Sequence, residues 1–558
     1  MIRPAPRLAS SPRVLQTSYD AIVIGSGYGG AIAASRLARA GRSVCLLERG
    51  RERQPGDYAW HTLDAAKEMQ MHSAQGHLGS RTGLFDFHIG ADISALVGCG
   101  LGGTSLINAG VLIEPDPRVF EDRAWPEAIR ANLAAFEAGV RRAEIGLGAS
   151  PYPDSWPAPA KLSALETSAR AMGQPFRRLP IAVNFADQIN AAGLHQPACN
   201  NCGDCVSGCN VGAKNTLIMN YLPDAKRRGA EIFTEMSVRH IERTSSGDSW
   251  TVVVEPLNPA YEASELRLEA RVVVVAAGTL GSSEILLRSR ERGLRASDRV
   301  GEGFSGNGDV LGFAFNNDVD IDGIGVGPHL DKGTPGPCIT GIIDLRQTER
   351  LEDGMIIEEG VVPSPLTPIM AAALTSASAA LGVHQHHNVR ETLGKLFADL
   401  DSIVMGAHHG AVHRTQTFLV MAHDNAGGVM SLHNDRLRLS WPGVGDQPIF
   451  QRIDAELRRA TEATGGTYIR DPLWTKGLKD SLITVHPLGG CRMADASESG
   501  VVNHKGQVYA DRNGGEVYPG LYVADGAIVP RPLGVNPLLT ISALAECICD
   551  DLIADHFS

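Results

Sequence analysis

The sequence predicts an α/β protein in two parts: an open, mostly parallel sheet assembled from separate stretches of chain, and an α+β part around an antiparallel sheet. Three observations predict it. An apolar run at 21–24 enters a glycine-rich turn, then Ala, Arg and Leu at helical spacing, then a second apolar run at 44–48. Two more apolar, β-branched runs, at 272–275 and 521–523, lead into Ala276-Ala277-Gly278 and Asp525-Gly526. Between these pieces lie long segments whose patterns alternate, as at 436–440, or are Ala-rich and helical.

Taken in order, 19–48 reads as strand, tight turn, helix and strand, because the apolar period changes from continuous to helical at the glycines. Continuous apolar runs of strand length are what a parallel sheet covered on both faces requires. In such sheets the carboxyl ends of the strands point at one ligand site. The first domain is therefore discontinuous, covering 17–113, 223–315 and 482–558, and the second takes 114–222 and 316–481. A further alternating run lies at 250–254. The stretch 369–380, apolar and rich in Ala and Ser, reads as a buried helix or as a flap over an apolar pocket.

The 558 residues carry a net charge of -12, with 43% hydrophobic and 20% charged residues, the composition of an ordinary globular protein. The acidic balance offers no basic face for nucleic acid. The Arg-rich stretch 288–299 also holds Glu291 and Asp298 and reads as a solvated helix end. No run approaches the ~18 apolar residues that a membrane span needs. Residues 1–18 hold three Arg and no apolar core, so no secretory signal is expected. The default location is cytoplasmic, with peripheral membrane contact left open.

The turn Gly25-Ser26-Gly27-Tyr28-Gly29-Gly30 supplies GxGxxG, with Glu48 at the end of the next strand. The first glycine makes the turn, the second lets backbone N–H groups approach a pyrophosphate, and the third permits close helix packing. The phosphates then sit on a helix N-terminus. Glu48 is placed to accept from a ribose 2′-OH. This motif does not by itself choose FAD over NAD.

A second glycine-rich segment decides: Gly98-Cys99-Gly100-Leu101-Gly102-Gly103-Thr104-Ser105-Leu106-Ile107-Asn108-Ala109-Gly110. Backbone can pass close to one face of a large flat ring only where side chains are absent. This segment resembles the second flavin-contacting motif of the glucose–methanol–choline (GMC) oxidoreductases. Ala276-Ala277-Gly278-Thr279-Leu280-Gly281-Ser282 resembles the family's signature, and the resemblance extends over nearly the whole chain. It implies a Rossmann-like FAD-binding domain beside a substrate-binding domain, and FAD contacts from Gly25, Gly27, Tyr28, Gly29, Gly30, Glu48, Gly102, Gly103, Ser105, Asn108, Ala277, Gly278, Asp525, Gly526, Asn536 and Pro537.

His486-Pro487-Leu488-Gly489-Gly490 and Gly534-Val535-Asn536-Pro537 resemble the family's catalytic positions, and Asn rather than a second His at 536 points to its cholesterol-oxidase-like branch. Lys214-Asn215-Thr216-Leu217 and the text from Leu538 to Glu546 are similar to that branch too. The chemistry agrees. Alcohol oxidation removes the O–H proton as hydride leaves carbon for flavin N5; a neutral imidazole takes that proton, and an amide positions the hydroxyl. Ile356-Ile357-Glu358-Glu359-Gly360 resembles the region whose Glu moves a proton in steroid oxidases. Neighbours on a strand face opposite ways, so one Glu enters the pocket; Glu359 is chosen over Glu358.

The resemblance implies oxidation of a sterol-like or other bulky hydrophobic alcohol, with O₂, an electron-carrier protein or a quinone as acceptor. An alternative is a long-chain or aromatic alcohol dehydrogenase that passes electrons through an iron–sulfur cluster; a flavin-containing lyase is a third reading. The cluster enters through Cys199, Cys202, Cys205 and Cys209, four of ten cysteines, spaced like a bacterial ferredoxin run but with Asn210 in place of the usual Pro. Zinc, reduced structural thiols and disulfides are the other readings of that run. His384, His386, His387, His408, His409 and His413 read as loop and surface histidines rather than metal ligands.

Overall fold

The computed structural model describes residues 7–261, 263–368, 410–471 and 481–557. The expected helix or flap at 369–380 lies outside them. The nucleotide sheet runs in the order Glu231–Phe233, Val44–Leu47, Ser18–Ile24, Leu266–Val275, Trp250–Pro256, Met236–Arg243. Strand Val517–Val523 joins Leu266–Val275 and carries Gln507–Tyr509 on its outer edge.

Leu266–Val275 forks the sheet, and its sequence says why. Its first half alternates buried and exposed residues, and there it pairs antiparallel with Trp250–Pro256. Its last four residues are all buried, and there it pairs parallel with Val517–Val523 while Ser18–Ile24 runs parallel along its other side. One-sided alternation suits the solvated antiparallel arm; the continuous β-branched run suits a position covered on both faces. The three predicted parallel strands are thus neighbours, with their carboxyl ends together.

The second sheet, Thr467–Arg470, Val310–Phe315, Gln416–Ala422, Met355–Gly360, Gly341–Asp344, Phe176–Arg178, is antiparallel throughout, as expected of the α+β part. Two assignments drawn from sequence change. Val310–Phe315 was expected in the first domain, but both of its neighbours belong to this sheet. Helix Ala134–Leu147, expected in the second domain, packs instead along the C-terminal helix Leu538–Phe557: a Cβ on Gly139 would meet the Ala543 carbonyl at 2.5 Å. Only glycine allows that approach.

A third sheet of five strands, Leu482–Thr484, Ile93–Gly98, Phe85–His88, Met69–His72, His77–Gly79, joins the two parts. Its adjacent strands Ile93–Gly98 and Leu482–Thr484 are parallel. From the end of one issues the second glycine segment, and from the end of the other issues His486. No helix among the described residues is long and apolar enough to cross a membrane.

Candidate active site

The GxGxxG turn is built by close approach. A Cβ on Gly25, at φ +94°, would stand 2.3 Å from the Ala276 carbonyl; on Gly29, 1.5 Å from that of Ala524; on Gly30, 2.0 Å from that of Gly25. These three glycines pack the turn against the two other strand ends. Gly27 differs, because nothing lies within 4 Å of its Cβ direction. It caps helix Tyr28–Arg39 and faces open space at the helix N-terminus, where an anion is favoured.

The second glycine segment lies over this turn. A Cβ on Gly103 would come within 2.9 Å of Gly27 Cα. Gly102 N–H donates to Ser26 Oγ at 2.9 Å, and Ser105 Oγ donates to the Gly102 carbonyl at 2.6 Å. Glu48 closes the ring, accepting from Ser26 N–H at 3.1 Å, Ser26 Oγ at 2.6 Å and Gly50 N–H at 2.7 Å. Asn108 Nδ2 donates to the Tyr28 hydroxyl at 2.7 Å, and Asn108 Oδ1 is buried without a partner.

Asp525 binds the strand ends together. Its carboxylate accepts from Gly278 N–H at 2.8 Å, Ser282 Oγ at 2.5 Å and Ala527 N–H at 2.8 Å. Burial nevertheless pushes its pKa up to about 6. A Cβ on Gly526 would meet Thr279 Oγ1 at 2.8 Å, and the Pro537 carbonyl accepts the Ile541 N–H at the start of the last helix.

His486 is held by Asp309, which sequence reasoning missed. His486 Nδ1 lies 3.0 and 3.1 Å from the two Asp309 oxygens. Asp309 Oδ2 also accepts from Thr484 Oγ1 at 2.9 Å, Val485 N–H at 2.9 Å and His486 N–H at 3.1 Å. A carboxylate on Nδ1 fixes the proton there and leaves the Nε2 lone pair for other work. The segment Gly306-Asn307-Gly308-Asp309 turns sharply, with Asn307 at φ +58° and Gly308 at φ +63°. The signal was that polar, glycine-rich turn, but nothing local ties it to a histidine 177 residues away.

The same turn positions Asn536. Asn307 Oδ1 accepts from Leu533 N–H at 2.8 Å and Gly534 N–H at 3.1 Å, and its Nδ2 donates to the Val535 carbonyl at 2.8 Å. Asn536 Nδ2 in turn donates to Glu358 Oε2 at 3.3 Å. Asn536 Oδ1 and Glu358 Oε1 are both buried and without partners. Burial, then the charges of Glu359 and Asp309, raises the Glu358 pKa well above the carboxylate range, against the Asn536 hydrogen bond.

The choice of Glu359 over Glu358 is therefore reversed. Glu359 faces away and is consumed by structure: it accepts from Lys161 Nζ at 2.9 Å, Thr340 N–H at 2.7 Å, Gly341 N–H at 3.0 Å and the Thr340 hydroxyl. Both members of the Lys161–Glu359 pair are wholly buried. Strand alternation was the right argument, but which face pointed inward depended on a lysine 198 residues earlier.

The four clustered cysteines are free thiols, and all four line one small cavity together with Asp204 and Lys214. Burial pushes Cys199 and Cys202 up to about 12, raises Cys205 well above the usual thiol range, and lowers Lys214 to about 8. Lys214 Nζ donates to the carbonyls of Cys205, at 3.0 Å, and Leu106, at 3.3 Å, so this cavity adjoins the second glycine segment. No three of the four sulfurs gather within 4.8 Å of one another, the closeness a single zinc ion needs. His413 lies 3.7 Å from Asp320 and 3.8 Å from Asp322; the other histidines of the two His-rich pieces fall outside the described residues.

Two family models, both of GMC oxidoreductases, match residues 19–306 and 384–545. The chain belongs to the GMC oxidoreductase family. It is accordingly an FAD-dependent oxidoreductase acting on CH–OH groups. Cholesterol oxidase of Mycobacterium tuberculosis is 28% identical over 95% of this chain and 90% of its own length. Cholesterol oxidase of Acinetobacter baumannii is 25% identical over 96% of this chain and 95% of its own. A long-chain-alcohol oxidase of Arabidopsis thaliana is 23% identical, covering 97% of this chain and 68% of that one. The fold is shared with a formate oxidase of Aspergillus oryzae, with TM-score 0.62, 13% identity, and coverage of 97% of this chain and 99% of that one. The residues present fit FAD: open space in the Cβ direction of Gly27 at the helix N-terminus, and unpartnered buried polar atoms on Asn108, Asn536 and Thr540.

Proposed function

We propose that this GMC oxidoreductase oxidises the secondary hydroxyl of a sterol-like or similarly bulky hydrophobic alcohol to the ketone. The observation that carries the proposal is the arrangement around the 306–309 turn. That turn holds His486 through Asp309 and seats Asn536 through Asn307, and Asn536 pairs with Glu358. Bound FAD supplies the acceptor for the hydride of the carbinol carbon. His486 Nε2 takes the hydroxyl proton, and Asp309 stabilises the cation that forms. Asn536 Oδ1, free of other partners, orients the hydroxyl. Glu358, made more basic by burial, can take as carboxylate a proton from the carbon beside the ketone and return it as the acid at the far end of the double bond, which suits isomerisation of an unsaturated steroid ketone. The relatives that support this reading are named cholesterol oxidases, which also favours O₂ as electron acceptor.

A second reading rests on the cysteine cavity. Four thiols lining one void beside the second glycine segment suit an iron–sulfur relay to a carrier protein or quinone. Anaerobic purification with iron and sulfide analysis, followed by cholesterol and separately a long-chain primary alcohol, tests both. Bleaching of the flavin by cholesterol, with rapid recovery in air and no iron, is the expected result. No response to cholesterol, with bleaching by the primary alcohol, would overturn the substrate class. Stoichiometric iron with slow recovery in air would overturn O₂ as acceptor.

A further inference from the structure

Three histidines stand abreast on the third sheet. His77 and His88 are the register partners of His72 on the two strands that flank it. Residues directly opposite in a ladder share a face, and Asp86, two residues before His88, shares it as well. The His72 and His88 rings stack with centroids 4.5 Å apart and planes 12° apart; the His77 ring lies 4.6 Å from that of His72.

His72 Nε2 lies 3.1 Å from Asp86 Oδ1, and His88 Nε2 lies 3.2 Å from the same oxygen. The simplest reading is a hydrogen-bonded His–Asp–His row. The geometry speaks against it, because neither His72 Nε2 nor Asp86 Oδ1 has a hydrogen-bond partner although both are buried atoms. The separation is a hydrogen-bonding one but the direction is not. Asp86 is only 2% exposed, and a buried carboxylate oxygen without a donor is costly.

We propose that His72, Asp86 and His88 bind a divalent transition-metal ion of the zinc type. One ligand atom from each lies within 4.8 Å of the others. Ligand atoms about 2.0–2.1 Å from a tetrahedral zinc stand about 3.3 Å apart, close to the separations found. Two imidazoles and a carboxylate are the donor set such ions take. Asp86 Oδ2 is occupied by Arg49, whose guanidinium also reaches Gln70 Oε1 and the Arg81 carbonyl, so the carboxylate is oriented from behind. His77 Nε2 is engaged with the Gly79 carbonyl at 3.0 Å, which leaves the remaining coordination positions to water on the side where His72 is one-third exposed.

The ion is a brace rather than a catalyst. It ties Met69–His72 to Phe85–His88, next to the strand that delivers the second glycine segment, and through Arg49 it touches the residue after Glu48. The proposal stands whatever alcohol the enzyme oxidises.

The test uses FAD-loaded protein, stripped with a chelator and re-equilibrated with Zn²⁺, with metal per chain measured by mass spectrometry and thermal unfolding followed alongside. Because added zinc can also bind adventitiously to free thiols, wild type is compared with His72→Ala/His88→Ala in backgrounds with and without Cys202→Ser/Cys205→Ser. Expected is one zinc fewer per chain in the histidine variant in both backgrounds, at least ~10²-fold weaker binding, and a zinc-dependent rise in Tm that the histidine variant lacks. Equal zinc content and equal thermal shift in wild type and histidine variant would overturn the site, as would a wild type that binds no zinc beyond its cysteines at micromolar ion. Should the double variant lose its FAD, His72→Gln and His88→Gln singly give the same comparison.

Discussion

Replacing Asp309 by Asn tests the core of the proposed chemistry. The substitution keeps volume and shape but puts an amide where five contacts meet one carboxylate: His486 Nδ1 on both oxygens, Thr484 Oγ1, and the N–H groups of Val485 and His486. The amide accepts on one side only, so either the imidazole loses its charge-assisted partner or it adopts the tautomer that protonates Nε2, the atom that must take the substrate proton. A hydrogen bond to a charged group is worth about 1.5–3 kcal/mol, and a buried donor left unpaired adds to the loss. Taking about 2–4 kcal/mol together, at about 1.4 kcal/mol per decade, the rate of flavin reduction falls between about 30- and 1,000-fold. The assay is anaerobic stopped-flow bleaching of the flavin by whichever alcohol bleaches the wild type, with FAD content measured on the same sample. Substrate affinity should change little, because Asp309 touches His486 rather than the alcohol. A variant that keeps its FAD and reduces it at the wild-type rate would refute the assignment of Nε2 as proton acceptor.

His486→Ala and Asn536→Ala should each retain FAD and lower anaerobic flavin reduction by at least ~10²-fold, measured in the same instrument. Gly27→Ala and Gly29→Ala should fail differently. The first places a methyl in open space and should leave secondary structure intact while FAD content drops; the second drives a Cβ to 1.5 Å from the Ala524 carbonyl and should prevent folding, with circular dichroism separating the two. Glu358→Gln keeps the shape of the side chain but can neither take nor return a proton, and should oxidise the alcohol at a near-wild-type rate while abolishing any subsequent double-bond shift, seen by product chromatography. It should also flatten part of the pH dependence of stability. Glu358 has a folded-state pKa raised above its unfolded value, so its contribution is fully present below the unfolded value, about 4.3, and is lost as pH rises toward the folded value. Denaturant midpoints at acid and neutral pH that differ equally in variant and wild type would contradict this.

What could be read from the sequence divides by range of interaction. The Gly25 turn was legible because its demands are local: a left-handed backbone, an approach too close for a Cβ, and a helix that follows at once. The parallel strands were legible because being covered on both faces imposes an unbroken apolar run, as at 272–275. The forked pairing of Leu266–Val275 was written in the change from alternating to continuous within one strand, a signal present but unused. Asp309 was not legible, since a carboxylate becomes a histidine's partner only through a fold that closes 177 residues. The facing of Glu358 and Glu359 failed for the same reason, as Lys161 decides it from 198 residues away. His72, Asp86 and His88 hid in another way: the residues lie close in sequence, but a parallel pairing of Met69–His72 with Phe85–His88 is needed to set them side by side.

The packing of helix Tyr28–Arg39 against helix Leu538–Phe557 sets a timetable for biosynthesis. The first helix leaves the ribosome about 500 residues before the one that covers it. At about 5–20 residues per second, the interval is roughly 25–100 s. Throughout it, the apolar flank meant for the last helix is bare, and the strand Val517–Val523 that completes the nucleotide sheet has not been made. Closure of the nucleotide sheet is therefore a late event that waits on the C-terminal segment. A nascent chain halted before that point would expose an uncovered apolar flank to chaperones rather than present a half-finished enzyme.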